Sequence, residues 1–483
     1  MKINLLLPPL NLEGSYGHLA SFSNPQPSIG VAYIAAVLKD AGHEVSVTDA
    51  YALQLSRSDI VEELKRRGTE VLGISCLSSS YDAIVGIARA VRETLPSVKI
   101  ICGNLHASLF AEEMLKNSVA DFIVHREGEY VMRDLCAALS SGGHVASVPG
   151  VSYLSNGEVQ HNEESRFIEN LDALPYPAWD LFPLSRYGCD PRTEMVRNQK
   201  EIQILATRGC PNACTFCSSH TGKSQGSKYR MRRPASIADE MEYMIERHGV
   251  NVVSFMDLAF PLVKKHAMSL FEEITRRGLH KKIKWGAECR VRPLDEETVR
   301  GMKEAGCIRV NFGIESGNDR ILRNLKKNFT VEDVKNAVSM TVKAGIEVDG
   351  MFMIGLPTET EEEINDTINL ALDIKVRYAI FNLFVPYPGC ELFDSLSAEG
   401  KIHFSKWSDF TSYGGYSGSN PVYVPDTLSM ERLLALQSKA MRKFYFRPRF
   451  IAGELSRFRL YKVPVYATGM FALVASVVKR FAQ

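Results

Sequence analysis

Two runs of alternating strand and helix signals, separated by a proline-rich stretch, predict an α/β protein built on two parallel sheets. The first run fills residues 1–145 and has the short apolar strands of a doubly wound sheet. The second, from 201 to about 400, holds six successive strand–helix units and fits an open, partial (β/α)6 barrel. A third observation is a loop with three cysteines, Cys210, Cys214 and Cys217, at the end of the barrel's first strand. The chain's 483 residues are too many for one ordinary domain, in keeping with this division. An apolar content of 45% and a charged content of 23% are those of a globular protein, and a net charge of +1 gives no ground for a nucleic-acid partner.

The elements follow in order. INLLLPP is an apolar strand, too short for a signal-peptide core, and SIGVAYIAAVLKDAG carries apolar residues at helical spacing up to Gly42. HEVSVTDA alternates as a strand, SRSDIVEELKRRG is a capped helix, TEVLGISCL a buried strand and YDAIVGIARAVRETL a helix. VKIICGN, AEEMLKN and ADFIVHREGE close the series. Ligands of such sheets sit beyond the carboxyl ends of the strands, which are here the loops around Ser75–Ser80, Gly103–Ser108 and Glu127–Glu129. No G-x-G-x-x-G follows the first strand, which disfavours a dinucleotide; Gly103 and Gly128 instead permit close backbone approach to a bulky ligand. Ser75, Ser78, Ser79 and Ser80 in the first of these loops either donate to that ligand or cap the next helix. Residues 146–200 form a connector, with a hairpin turning at Asn156-Gly157 and the proline-rich LPYPAWDLFPL.

In the second run, EIQILAT is a strand leading into the cysteine loop. SIADEMEYMIERHG, KKHAMSLFEEITRRG, DEETVRGMKEAG, TVEDVKNAVSMTVKAG and TEEEINDTINLALDI are helices. Between them lie the strands VNVVSF, KIKWGAECR, IRVNFGIE, IEVDGMFMI and YAIFNLF. Chemistry in barrels gathers at the carboxyl ends of the strands. Those ends carry the cysteine loop, Asp257, Glu288, Glu315 with Ser316, Gly355 and the Pro386 region.

Three thiolates in a C-x3-C-x2-C loop supply three ligands to a four-iron cube and leave the fourth iron open, which is a catalytic arrangement. A structural zinc site wants a fourth ligand, for which His220 is the near candidate. The other seven of the ten cysteines are scattered singly, as small buried apolar residues are.

The order of motifs resembles that of the radical S-adenosylmethionine (SAM) enzymes. Phe216 stands before the last cysteine as the family's aromatic does, and FMDLAF, NFGIESG, FMIGLP and VPYPG resemble its later strand-end motifs. PPLN, SIGVAYIAAVLKDAGHEV, GNLHAS and FIVHREGE resemble the class with an N-terminal cobalamin-binding domain of Rossmann-like fold. There are departures. The second aspartate of the F-x-D-D-x-F motif is Leu258, and the usual G-G-x-H reads GNLH. No D-x-H-x-x-G is present, so the resemblance implies cobalamin bound without a protein histidine under the cobalt.

The resemblance implies a 4Fe–4S cluster on Cys210, Cys214 and Cys217, and SAM held by Phe216, Asp257, Glu288, Glu315 and Ser316. It implies cobalamin near Ser75, Ser79, Gly103, His106, Glu127, Gly128 and Glu129. Simple packing for Phe216 and a solvated loop carboxylate for Asp257 stay open beside those roles. Arg208 either offsets cluster charge or forms an ion pair. The implied activity is reductive cleavage of SAM to a 5'-deoxyadenosyl radical, then C-methylation of an unactivated carbon or cobalamin-assisted cyclisation or rearrangement. The implied partners are a small-molecule substrate and an external electron donor of flavodoxin or ferredoxin type. A cluster-binding protein without SAM turnover is the reading from another class.

Residues 401–483 read as a mostly helical lid. Its WSDFTSYGGYSGSN segment suits either a sizeable apolar or cyclic substrate or ordinary packing, and the basic apolar tail points to a lipid-like or tetrapyrrole-like substrate. From Arg442 onward nine basic residues face one acid, and an apolar run from Val463 to Val478 is shorter than the ~20 residues of a bilayer span. That tail is either a helix on the protein's own surface or a peripheral membrane anchor on an otherwise cytoplasmic protein.

Overall fold

The computed structural model describes residues 1–10, 25–187, 196, 198–219, 221–222, 224–412 and 420–457. The expected sheets are both present. In the first, strands β1 (Lys2–Leu7), β2 (Glu44–Asp49), β3 (Val71–Ser75), β4 (Lys99–Gly103) and β5 (Phe122–Val124) run parallel in the order 2-1-3-4-5. Helices α1 (Ile29–Asp40), α2 (Arg57–Arg67), α3 (Tyr81–Thr94), α4 (Leu105–Leu109), α5 (Ala111–Lys116) and α6 (Gly128–Ser141) connect them. Their ends follow local chemistry: Ser56 and Asp59 form a capping box on α2, and Gly68 closes it in the left-handed region at φ 61°. The helix expected at AEEMLKN is α5, and the short α4 before it was not read from the sequence. The predicted hairpin, β6 (Val151–Ser155) and β7 (Glu158–His161), adds an antiparallel edge to this sheet through β5–β6 pairing, so the start of the connector belongs to the first domain's architecture.

The second sheet is a six-stranded parallel array. It comprises β8 (Glu201–Ile204), β11 (Val252–Phe255), β12 (Lys284–Cys289), β13 (Cys307–Glu315), β14 (Glu347–Ile354) and β15 (Ala379–Leu383) in sequential order. The remaining pair, β9 (Thr207–Arg208) and β10 (Arg230–Met231), is a short antiparallel clasp on the cysteine loop. Outer helices are α7 (Pro234–His248), α8 (Lys264–Arg276), α9 (Leu279–Lys282), α10 (Glu296–Glu304), α11 (Asp319–Asn324), α12 (Val331–Lys343) and α13 (Glu361–Asp373). Thr330 with Asp333 and Thr360 with Glu363 make capping boxes on α12 and α13. Apolar residues of strands and helices interleave in one continuous core, in which Phe255, Phe260, Phe271 and Trp285 stack together.

After α14 (Glu391–Ala398) the chain crosses back to the first domain, where the Trp407 ring lies 4.9 Å from His106 and 4.7 Å from Phe110. The Ser408 N–H donates to Asp82 at 2.8 Å. Helix α15 (Met430–Tyr445) then covers β15, with Gln437 Nε2 donating to the Phe381 carbonyl at 2.8 Å, and α16 (Pro448–Ser456) follows. Among the described residues no helix is long and apolar enough to cross a membrane. His220, the glycine-rich centre of the lid (413–419) and the tail from 458 lie outside the described residues.

Candidate active site

Strand β8 delivers the chain to Gly209, where the cysteine loop begins. A side chain there is excluded, because its Cβ would lie 2.1 Å from the Lys228 carbonyl oxygen and φ is +83°. The loop closes on itself through the Cys210 N–H to Gly226 O bond of 3.1 Å and the β9–β10 clasp. Cys210 and Cys214 are buried and Cys217 is half-buried. Each sulfur receives an N–H donor: Asn212 Nδ2 on Cys210 at 3.3 Å, Arg290 Nη1 on Cys214 at 3.6 Å, and the Ser219 backbone on Cys217 at 3.4 Å. Three such sulfurs suit a polynuclear cluster, in which each thiolate takes its own iron and N–H donors moderate the charge. Among the described residues no three His, Cys, Asp or Glu side chains converge as on a single metal ion.

The strand-end groups divide into two kinds. Some are committed to the scaffold. Asp257 is buried, accepts from the Ala206 N–H at 3.2 Å and the Thr207 hydroxyl at 2.5 Å, and is pushed up by burial to about 6. It braces the strand end that launches the cysteine loop. Ser316 is buried against the Thr367 hydroxyl at 3.2 Å and accepts from the Asn318 N–H. Phe216 packs on the cluster of Ile321, Leu325 and Phe384.

Glu288 and Glu315 form the other group. Glu288 projects from β12 into the barrel cavity, where desolvation together with the nearby Glu315 carboxylate raises its pKa. Glu315 sits at φ +68° and pairs with the buried Lys327, whose ammonium is 2.9 Å from Glu315 Oε1 and 5.5 Å from the Phe216 ring centre. The sequence reading missed Lys327 and Arg290. Arg290 carried a signal, since strand alternation puts it on the face of Glu288. Lys327 carried none, because its partners are fixed only by folding. Of these groups Glu288 borders a bore of about 540 Å³, lined also by Glu201, Asn311, Asp349 and Met351 among others.

A cleft of about 370 Å³ lies at the carboxyl ends of β1, β3, β4 and β5. Ser75, Gly103, Glu127, Gly128 and Glu129 line it, together with Gly30, Ile34 and Gly73, and its opposite wall is the barrel's Gln203, Leu205, Arg208 and Met256. A Cβ on Gly30 would meet nothing within 4 Å and so would enter the cleft. Ser79 and His106 do not line it. His106 is buried against Tyr81, Phe110 and Trp407 and bonds Ser78 at 3.0 Å, and burial lowers its pKa to about 4.

Glu127 and Glu129 are the acids of an ion network across the two domains. Arg208 donates to Glu127 at 3.2 Å and to Glu129 at 2.6 Å, and Arg230 donates to Glu127 at 2.8 Å. Burial opposes the Arg208 charge, but Glu129 and Glu127 more than offset it and the net shift is upward.

The Radical SAM superfamily model matches residues 204–371, and the B12 binding domain model matches 17–136. An uncharacterized methyltransferase of Pyrococcus horikoshii is 31% identical over 94% of this chain and 95% of its own length. The chain belongs to the B12-binding radical SAM enzymes.

The anaerobic magnesium-protoporphyrin IX monomethyl ester cyclase of Cereibacter sphaeroides, another relative, is 26% identical over 91% of this chain and 72% of its own. The fold matches that of the radical SAM methyltransferase TsrM from Kitasatospora setae with a TM-score of 0.69, at 17% identity, over 91% of this chain and 88% of that one. As a B12-binding radical SAM enzyme the protein uses a 4Fe–4S cluster, SAM and cobalamin. The residues present fit them: three donor-supported thiols for the cluster, and for cobalamin a glycine-lined cleft at the point where the strand order reverses between β1 and β3.

Proposed function

We propose that this enzyme methylates an unactivated carbon of a small molecule. The observation that carries the reading is Met256, whose side chain lines both the glycine-rich cleft and the barrel bore. The two cavities share a wall there, so a methyl carrier in one lies beside a substrate in the other. When bound, the cluster supplies the electron that splits SAM, and cobalamin supplies a metal that carries a methyl group.

The chain's own residues position and shield. Cys210, Cys214 and Cys217 would hold the cluster, and Arg290 sets a positive charge against Cys214. Glu315, fixed by Lys327, and the free Glu288 are the groups offered to the polar parts of SAM. Asp257 and Ser316 hold the strand ends in place. In this reading SAM gives up a methyl group in one event and its adenosyl radical in another. The radical takes hydrogen from the substrate carbon, leaving 5'-deoxyadenosine and methionine; the methyl transfer leaves S-adenosylhomocysteine. Electrons come from an external low-potential donor.

The second reading is cobalamin-assisted cyclisation, supported by the cyclase relative that aligns with 91% of the chain. That relative's named substrate supports a tetrapyrrole-like class. Anaerobic reconstitution with reductant, SAM and cobalamin separates the readings. Methylation yields 5'-deoxyadenosine and S-adenosylhomocysteine in equal amounts and a product heavier by a methylene unit. Cyclisation yields 5'-deoxyadenosine without S-adenosylhomocysteine. Absence of 5'-deoxyadenosine from cluster-loaded protein would sink both.

A further inference from the structure

The last described helix has one face that the fold uses and another that it leaves bare. On the inner side of α16, Phe450 packs within 4.9 Å of the Tyr445 ring centre and 6.0 Å of those of Phe444 and Tyr378. Arg447, just before it, donates toward the Leu372 and Val376 carbonyls, and Glu454 faces Arg377 at 3.9 Å. These contacts fix the helix against the barrel. Ile451 and Leu455, one helical turn apart, are turned outward at 44% and 67% exposure, and Phe446 at the preceding corner is 67% exposed. Large apolar side chains this bare are a feature of interaction surfaces when they cluster.

The exposed charges of the corner itself are basic, and of these Arg457 also lies 3.7 Å from Glu347. Arg442, Lys443, Arg449 and Arg457 are exposed, whereas Glu454, the only acid between 442 and 457, is turned toward Arg377 and Arg457. Lys375 and Arg449 also border a cleft of about 480 Å³ beside the helix. The sequence continues this pattern beyond the described residues with Arg459, Lys462, Lys479 and Arg480 around an apolar stretch. Apolar side chains flanked by arginine and lysine complement an anionic bilayer interface: the apolar groups enter the acyl boundary and the cations are drawn to the anionic headgroups.

We propose that the α15–α16 corner, through Phe446, Ile451 and Leu455 with Arg449 and Arg457, docks the enzyme on an anionic membrane surface. The proposal stands apart from the reaction type. The barrel's sixth strand lies directly under this corner, since the Tyr445 hydroxyl donates to the Ala379 carbonyl at 2.9 Å. Docking there would hold the enzyme by the side of the barrel that α15 covers.

The test is co-sedimentation of the full chain with vesicles of phosphatidylcholine alone or mixed with phosphatidylglycerol. The expected result is binding to the mixed vesicles only, weakened by salt. A Phe446→Asp/Leu455→Asp variant and an Arg449→Glu/Arg457→Glu variant should each lose binding by about tenfold or more, with circular dichroism and iron content unchanged. Equal binding to neutral and anionic vesicles would overturn the proposal. Unimpaired binding by both variants would also overturn it, by assigning attachment to the tail alone. So would loss of a dimer in the apolar variant with vesicle binding intact, which would make the face a contact between copies of this chain.

Discussion

The cleft and the bore meet at Met256 but are built on opposite principles. The cleft is shaped by what is missing: Gly30, Gly73, Gly103 and Gly128 clear its walls, and the charges on its rim are already spent on each other through Arg208, Glu127 and Glu129. The bore is shaped by what is present, with Glu288 uncommitted and Asp349 pushed up by burial to about 6. A cavity with satisfied charges and bare backbone selects by shape and suits a large rigid cofactor. One with polar groups in reserve selects by hydrogen bonding and suits exchangeable ligands. The difference assigns the resident group to the first domain and the turnover to the second.

The largest expected effect breaks the second region outright. Replacing Gly209 with alanine forces a Cβ against Lys228 O, so the loop should lose its cluster and the protein its 5'-deoxyadenosine formation. Iron analysis and product chromatography check this, and cobalamin binding, read by absorbance, should survive. Next is the boundary between the regions. Glu127→Ala leaves Arg208 and Arg230 short of a buried partner, a loss of about 3–5 kcal/mol that urea unfolding should register. A surface-like change below 1 kcal/mol would mean that the domains are not held by this network.

The reciprocal of the first experiment is Gly30→Leu. The position is helical and its Cβ meets nothing, so the side chain should fold normally and project into the cleft. Cobalamin affinity should drop about tenfold or more, the equivalent of ~1.4 kcal/mol, while cobalamin-independent SAM cleavage holds. Loss of both activities together would show that the cavities are not separable. A smaller effect is expected of Arg290→Met. Removing the cation from Cys214 should move the cluster's midpoint potential to more negative values in an EPR-monitored titration, with iron content unchanged.

The fold was legible in the sequence because its signals are local. Apolar strands, capped helices and the glycine that must follow Arg208 are each set by neighbours along the chain. The site was legible only where a motif marked a strand end, as at Cys210, Cys214, Cys217 and Glu315. Motif position told nothing of commitment. Asp257 and Ser316 stand where ligand contacts were expected, yet their oxygens are engaged by Thr207 and Thr367. Glu127 and Glu129, expected at cobalamin, also face Arg208, which is 81 and 79 residues away in sequence. Such pairings are invisible before folding, as is the burial of Lys327 beside Phe216.

The smallest effect on turnover concerns a strand end that both cavities leave alone. Glu359 is fully buried, and its Oε2 accepts from the Gly355 N–H at 2.7 Å and the Leu356 N–H at 3.0 Å, while its Oε1 has no partner. Burial pushes its pKa up to about 8, against the two backbone donors, which lower it. A carboxyl that binds its proton more tightly folded than unfolded stabilises the fold most at low pH. Stability should therefore fall as pH rises from about 4.5 through 8, by at most about 5 kcal/mol. Glu359→Gln mimics the protonated form at every pH: its amide oxygen keeps both acceptor contacts and its amide nitrogen takes the place of the acid hydroxyl. The variant should match the parent near pH 5, exceed it at pH 8, and leave 5'-deoxyadenosine formation unchanged. Parallel urea-midpoint curves for the two proteins would show that Glu359 is ionised when folded, and that the β14 end carries a spare charge as the bore does.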